Sequence, residues 1–211
     1  MPATLSLEVG DEFIERVRVD LAVVSLFDTD RPLRGNAGRA DWRLCGRISR
    51  LLLAGKLCGT AGDGLLVSEE GGLAAQWLLV LGLGPRDGFD AAACAGFGRD
   101  VVARATRLRM STIAVGLPDA LPGDLVASGW LEALLSGVVS ALSEKSDDLR
   151  MCIVPATGEA ARTRKTVSAL LQRLRSPGVA LRFEGLSALG RARPSPRGAQ
   201  GSSLHPRQGI K

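Results

Sequence analysis

From Trp77 onwards, short aliphatic runs alternate with segments of helical periodicity, and that alternation leaves few folds open. The run WLLVLGLG (77–84) reads as a central strand, and Asp90 to Arg107 reads as the helix that follows it. STIAVGLP (111–118) is a second strand, stopped by Pro118, which has no N–H to donate to a ladder. Leu125 to Leu142 is helical by pattern despite Gly129 and Gly137, and LRMCIVP (149–155) repeats the strand-then-proline arrangement. Glu159 to Leu174 is a helix rich in basic residues, and VALRFEGL (179–186) is the last strand. Strand, helix, strand in succession requires crossover connections, so the expected architecture is an α/β fold: a mixed, largely parallel sheet flanked by helices on both faces.

The first half fits the same scheme. VRVDLAVVSLF (17–27) has the continuous apolar character of a strand covered on both sides, and it runs into the turn-rich loop DTDRPLRGNAG. Between Ala40 and Ala54, residues Trp42, Cys45, Ile48, Leu51 and Leu52 recur at three- and four-residue spacing, which predicts one amphipathic helix with these five on its apolar face. GLLV (64–67) is a short strand, and EEGG (69–72) is a turn leading towards the next strand. No tandem repeat at solenoid periods is present.

After Gly190 the composition changes to RARPSPRGAQGSSLHPRQGIK, rich in Pro, Gly and Ser. The expected organisation is therefore one α/β domain over 1–190 and a disordered basic tail over 191–211. The tail also locates the net charge of +5: it holds Arg191, Arg193, Arg197, Arg207 and Lys211 and no acid, so the 22 basic residues of the body balance its 22 acids. A neutral body argues against an extended phosphate-tracking surface. The tail arginines remain as a candidate for weak, salt-dependent nucleic-acid contact.

The chemistry is defined largely by what is missing. His205 is the sole histidine and lies in the tail, tyrosine is absent, and Asn36 is the only asparagine. Ser-His-Asp, Cys-His and His-bearing zinc schemes are thus excluded from the body, and no metal site or cofactor is expected. The four cysteines, Cys45, Cys58, Cys94 and Cys152, form no Cys-x-x-Cys pair and read as buried thiols of a reducing compartment. With no signal sequence and no apolar run long enough to span a bilayer, the expected location is the cytoplasm.

One motif resembles a phosphate loop. Gly82 and Gly84 end a strand ahead of a helix, where backbone N–H groups can approach an anion. The third glycine of the dinucleotide fingerprint is replaced by the run Pro85, Arg86, Asp87, and no GK[ST] occurs. A structural corner is the first reading, with Asp87 or Asp90 capping the helix; a ligand loop at Gly82, Gly84 and Asp87 is the alternative.

The segments VDLAVVSLF, LCGRISRLLLAGKLCGTAGDGLLV, WLLVLGLGPRDGFDAAACAGFGRDVVARA and STIAVGLPD resemble, in order and spacing, the N-terminal domain of the leucyl (cytosol) aminopeptidase family, over about Val17 to Val154. The resemblance implies a macro-domain-like fold. It also implies a stand-alone N-terminal domain without catalysis, because the family's Asn-Thr-Asp-Ala-Glu-Gly-Arg signature, carried by a separate catalytic domain, is absent; no catalytic residue transfers. Since the family's N-terminal domain surrounds a hexameric core, the leading functional expectation is a protein-interaction or regulatory module with a protein partner or self-association. A nucleotide or ADP-ribose-like ligand is the first alternative, weakened because VDLAVVSLFDTD supplies no asparagine where ADP-ribose binders carry several. Aminopeptidase activity with a catalytic domain supplied in trans is the second.

Overall fold

The computed structural model describes residues 3–68, 71–118, 127–144, 147–155, 158–174 and 178–186. The tail arginines and the expected tail disorder lie outside them. Seven strands form one sheet: β1 (Ala3–Val9), β2 (Leu21–Leu26), β3 (Gly64–Ser68), β4 (Trp77–Gly82), β5 (Thr112–Gly116), β6 (Leu149–Val154) and β7 (Val179–Leu186), in the spatial order β3-β4-β2-β5-β6-β1-β7. Every pairing is parallel except β3 with β4, so the sheet is mixed and mostly parallel, as the alternation requires.

Strand β2 shows why the centre holds. All six of its residues are buried, between β4 on one side and β5 on the other. Successive side chains point to opposite faces. Leu21 and Val23 join the core under the helices α3 (Ala91–Arg107), α4 (Ala127–Ser143) and α5 (Ala160–Arg173). Ala22, Val24 and Leu26 join the core under α1 (Gly35–Arg43) and α2 (Arg47–Leu53). Helices therefore cover both faces.

The helix expected over 40–54 is two helices. Cys45 (φ 52°) and Gly46 (φ 75°) lie in the left-handed region, which ends α1 and restarts the chain as α2 on a new axis. Ile48 and Leu52 remain buried, whereas Trp42, on the other side of the break, is 78% exposed. The same break exposes Cys45, and Cys58 is exposed in the loop beyond α2, so only Cys94 and Cys152 are the buried thiols the sequence suggested. Burial pushes the Cys94 thiol up to about 12. It raises Cys152 too, with the charge of Glu8 adding to the effect. A thiol-reactive reagent is accordingly expected to label Cys45 and Cys58 in the native protein and to reach Cys94 and Cys152 only on unfolding. Mass spectrometry of native and denatured samples checks this, and labelling of Cys94 under native conditions would refute the packing of α3 against α4.

The structure adds a strand at the start of the chain. In ATLSLEV, residues Leu5, Leu7 and Val9 alternate with Thr4, Ser6 and Glu8, and β1 enters the sheet between β6 and β7, with Leu5 opposite both Leu149 and Leu181. Among the described residues no helix is long and apolar enough to cross a membrane.

Candidate functional site

The connection from β2 passes to one face of the sheet, while those from its neighbours β4 and β5 pass to the other face. Between them, at the carboxyl ends of the strands, the chain leaves a crevice, the usual ligand position in open α/β sheets. A cleft of about 330 Å³ lies there. Its floor is Ser25, Asn36 and Gly116, and its walls come from the loop after β2 and from Arg86 in the loop after β4.

The floor is built tightly. Asn36, on the first turn of α1, is buried and its Nδ2 donates to the carbonyl oxygens of Leu117 (2.9 Å) and Val154 (3.2 Å). This ties the start of α1 to the ends of β5 and β6. Gly116 permits the approach, since a Cβ there would lie 2.7 Å from the Asn36 Cβ. Ser25 is the polar interruption in β2. By parity it belongs to the row of Leu21 and Val23, yet it sits at the cleft, 6% exposed, and its Oγ has no hydrogen-bond partner. An unpartnered buried hydroxyl is unfavourable by about 1–3 kcal/mol.

The walls are cationic. Arg86 is paired with Asp30 at 2.6 Å and lies over the Phe27 ring, 4.3 Å from its centroid. Asp30 also accepts from the Phe27 N–H at 2.9 Å, so the loop folds back on itself. The Arg31 guanidinium donates to the Asp28 carbonyl. Arg34 is exposed and makes no ion pair among the described residues. Three arginines against one aspartate give the cleft a positive field. Arg34 is also the N-cap of α1 and provides no side-chain cap, nor does any acid occupy the first turn. The first N–H groups of α1 therefore lack the side-chain acceptor that a helix start favours, and helix starts of this kind attract anions.

The glycine turn singled out from sequence lies beside this cleft and outside its lining. Gly82 and Gly84 are buried; their N–H groups donate to the carbonyls of Asp63 (2.8 Å) and Gly59 (2.9 Å), and the Leu83 N–H donates to Leu26 (2.9 Å). Asp87 is exposed. The helix start next to the turn is already occupied, because the Asp90 carboxylate caps α3 by accepting from Ala93 N–H at 2.8 Å. α1 has no side-chain cap, a condition it shares with α2 and α5, and two sequence signals lie near its start: the serine inside the apolar run LAVVSL, and Asn36, the chain's sole asparagine, six residues beyond the quoted VDLAVVSLFDTD.

On the far side of Arg34 a second, shallower groove is lined by Glu15, Leu33, Arg39 and Trp42. Arg39 grips Glu15 through two hydrogen bonds (3.1 and 2.7 Å) and covers the Phe13 ring at 3.4 Å. Burial alone would raise the Glu15 carboxyl, but the hydrogen bonds and charge of Arg39 outweigh it and hold that carboxyl below its ordinary value. Among the described residues no group of three or more His, Cys, Asp or Glu is placed to hold a metal ion.

The profile of the N-terminal domain of the cytosol aminopeptidase family matches residues 23–147. No curated protein matches the sequence. Among solved structures, the fold is similar to that of a mutant tomato leucine aminopeptidase, with a TM-score of 0.62 and 16% identity, over 81% of this chain and 36% of that one. It is also similar to the Oceanobacillus iheyensis macrodomain with ADP (TM-score 0.59, 11% identity, 77% of this chain and 90% of that one). A third similar structure is the Trypanosoma brucei macrodomain in complex with ADP (TM-score 0.56, 16% identity, 76% and 67%).

Proposed function

Because the chain belongs to the cytosol aminopeptidase family through that family's N-terminal domain, we propose that it works as a macrodomain-like binding module, with the cleft between β2 and β5 taking a small phosphate-bearing ligand of the nucleoside diphosphate class. The observation that carries this reading is the Ser25 hydroxyl, buried and without a partner at the floor of a cleft walled by arginines. Arg34 supplies an exposed charge, the open start of α1 supplies N–H donors, and Asn36 fixes that start in place. Two macrodomains of similar fold were solved with ADP, which supports the choice of that ligand class. A protein-contact role, including regulation of a partner, is the second reading, favoured by Leu53, which stands 84% exposed at the end of α2.

Thermal unfolding with increasing ADP or inorganic pyrophosphate tests the first reading, because a ligand of the native state raises Tm. Both are expected to do so, with the effect shrinking at high salt. Arg34→Ala should weaken ADP about tenfold or more, the loss of a hydrogen-bonded charge. Ser25→Ala gives a contrast of sign: the free protein should become slightly more stable, since an unpartnered hydroxyl is removed, while ADP affinity falls. If neither anion shifts Tm, or if Ser25→Ala leaves affinity intact, the cleft is not the binding site.

A further inference from the structure

Resting on that reading of the cleft, we infer that the site has two parts, and that a planar ring of the ligand stacks on Trp42 while its anion sits at Arg34 and Ser25. Arg34 forms the wall between the two hollows and lines both. The second hollow measures about 390 Å³, comparable to the first, and shares Arg34 with it.

Helical geometry sets the two ends. Arg34, Gly38 and Trp42 are spaced four residues apart, so they form one stripe along α1, while Asn36, Ala37 and Ala40 form the buried stripe. At 1.5 Å per residue, Trp42 stands roughly 12 Å from Arg34 along the helix axis, which is the reach of an extended nucleoside diphosphate from base to terminal phosphate. Between them Gly38 raises no side chain. A Cβ there would lie 2.7 Å from the Leu33 carbonyl oxygen, so close contact with the preceding loop keeps the floor low.

Trp42 is unusual enough to require an explanation. It is a tryptophan 78% exposed, on a helix whose apolar stripe is otherwise buried, and tryptophan is among the most buried residues on average. Its neighbour Arg39 is tied to Glu15 and Phe13 and thus holds that wall without competing for the indole. An exposed indole beside a cationic cleft is a stacking platform for any heterocycle whose phosphate the cleft retains, and such stacking tolerates different bases.

Trp42 also provides the readout. Trp130 is buried and Trp77 packs against the core, so of the chain's three tryptophans the solvent-exposed emission belongs to Trp42. In the full chain, ADP is expected to bind about tenfold more tightly than inorganic pyrophosphate and to quench that emission, whereas pyrophosphate binds without quenching. Trp42→Ala should bring ADP down to the affinity of pyrophosphate and leave pyrophosphate unchanged. Trp42→Phe should recover most of the difference, and because the position is exposed both variants are expected to fold. Equal affinities for the two ligands, with Trp42→Ala without effect, would overturn the stacking half and leave the cleft reading standing. Failure of both ligands to bind would overturn both.

Discussion

Gly137→Ala is expected to destabilise the protein by about 3 kcal/mol, the upper range for inserting a methyl into a closed contact, seen as a drop of roughly 10 °C in Tm. Helix propensity alone gives the opposite sign, since alanine in a helix interior is better than glycine by about 1 kcal/mol. The outcome is decided by what the new Cβ meets. At Gly137 it would lie 2.0 Å from the Ala95 carbonyl oxygen and 2.8 Å from its carbon, both backbone atoms of α3. No rotamer change relieves a clash with backbone, so α4 must move off α3. Gly98 faces α4 in the same way, 2.4 Å from the Leu134 carbonyl oxygen, so the seam is closed from both sides and separation loosens Val101, Leu134 and Val138 together. Gly96→Ala, on α3, is the control. Its Cβ would meet only an Arg99 nitrogen at 3.7 Å, an ordinary contact, so that variant should gain a few tenths of a kcal/mol or more. Urea midpoints at constant m-value measure both. A Gly137→Ala protein as stable as the parent would mean that α3 and α4 do not pack this closely.

Gly137 also illustrates what the sequence conveyed and what it hid. Read locally, Gly129 and Gly137 only weaken a helical pattern; the partner of Gly137, Ala95, lies on another helix, beyond the reach of periodicity. The alternation of strands and helices did establish the mostly parallel sheet, because each apolar run must be covered and each crossover needs a helix. The Asp90 cap was legible for the same local reason. Where a backbone turned left-handed, at Cys45 and Gly46, the apolar spacing of 40–54 continued across a break it does not register, and Trp42 was assigned to a face it does not share. Strand β1 was legible as alternation, but its place between β6 and β7 depends on partners such as Leu149 and Leu181, far along the chain.

The cleft followed a similar logic. Sequence drew attention to the glycines after β4, because paired glycines before a helix are a known anion pattern. The close contacts around those glycines lead to the second large effect. Gly82→Ala is expected to destabilise the fold by about 3 kcal/mol while leaving ADP affinity unchanged in the protein that remains folded. A Cβ on Gly82 would stand 2.1 Å from the Thr60 carbonyl oxygen and 2.5 Å from the Gly59 carbon. That loop cannot easily retreat, because the Asp63 carboxylate accepts the N–H groups of Cys58 (2.7 Å) and Gly59 (3.2 Å), and the Asp63 carbonyl accepts that of Gly82. Gly84→Ala meets a different obstacle: at φ 84° the penalty is conformational, about 1–2 kcal/mol, and smaller. A phosphate-cradling turn would behave in the reverse manner, with substitutions tolerated in the free protein and ADP binding lost, since the cradle would be empty until the ligand arrived. Calorimetric titration of ADP well below each variant's Tm, alongside urea unfolding, separates the two. Loss of ADP binding in a stable Gly82→Ala protein would move the anion site from Arg34 and Ser25 back to the glycine turn. Loss of stability with affinity retained would leave the turn as the brace that holds β4 and the Gly59 loop together, one strand away from the ligand.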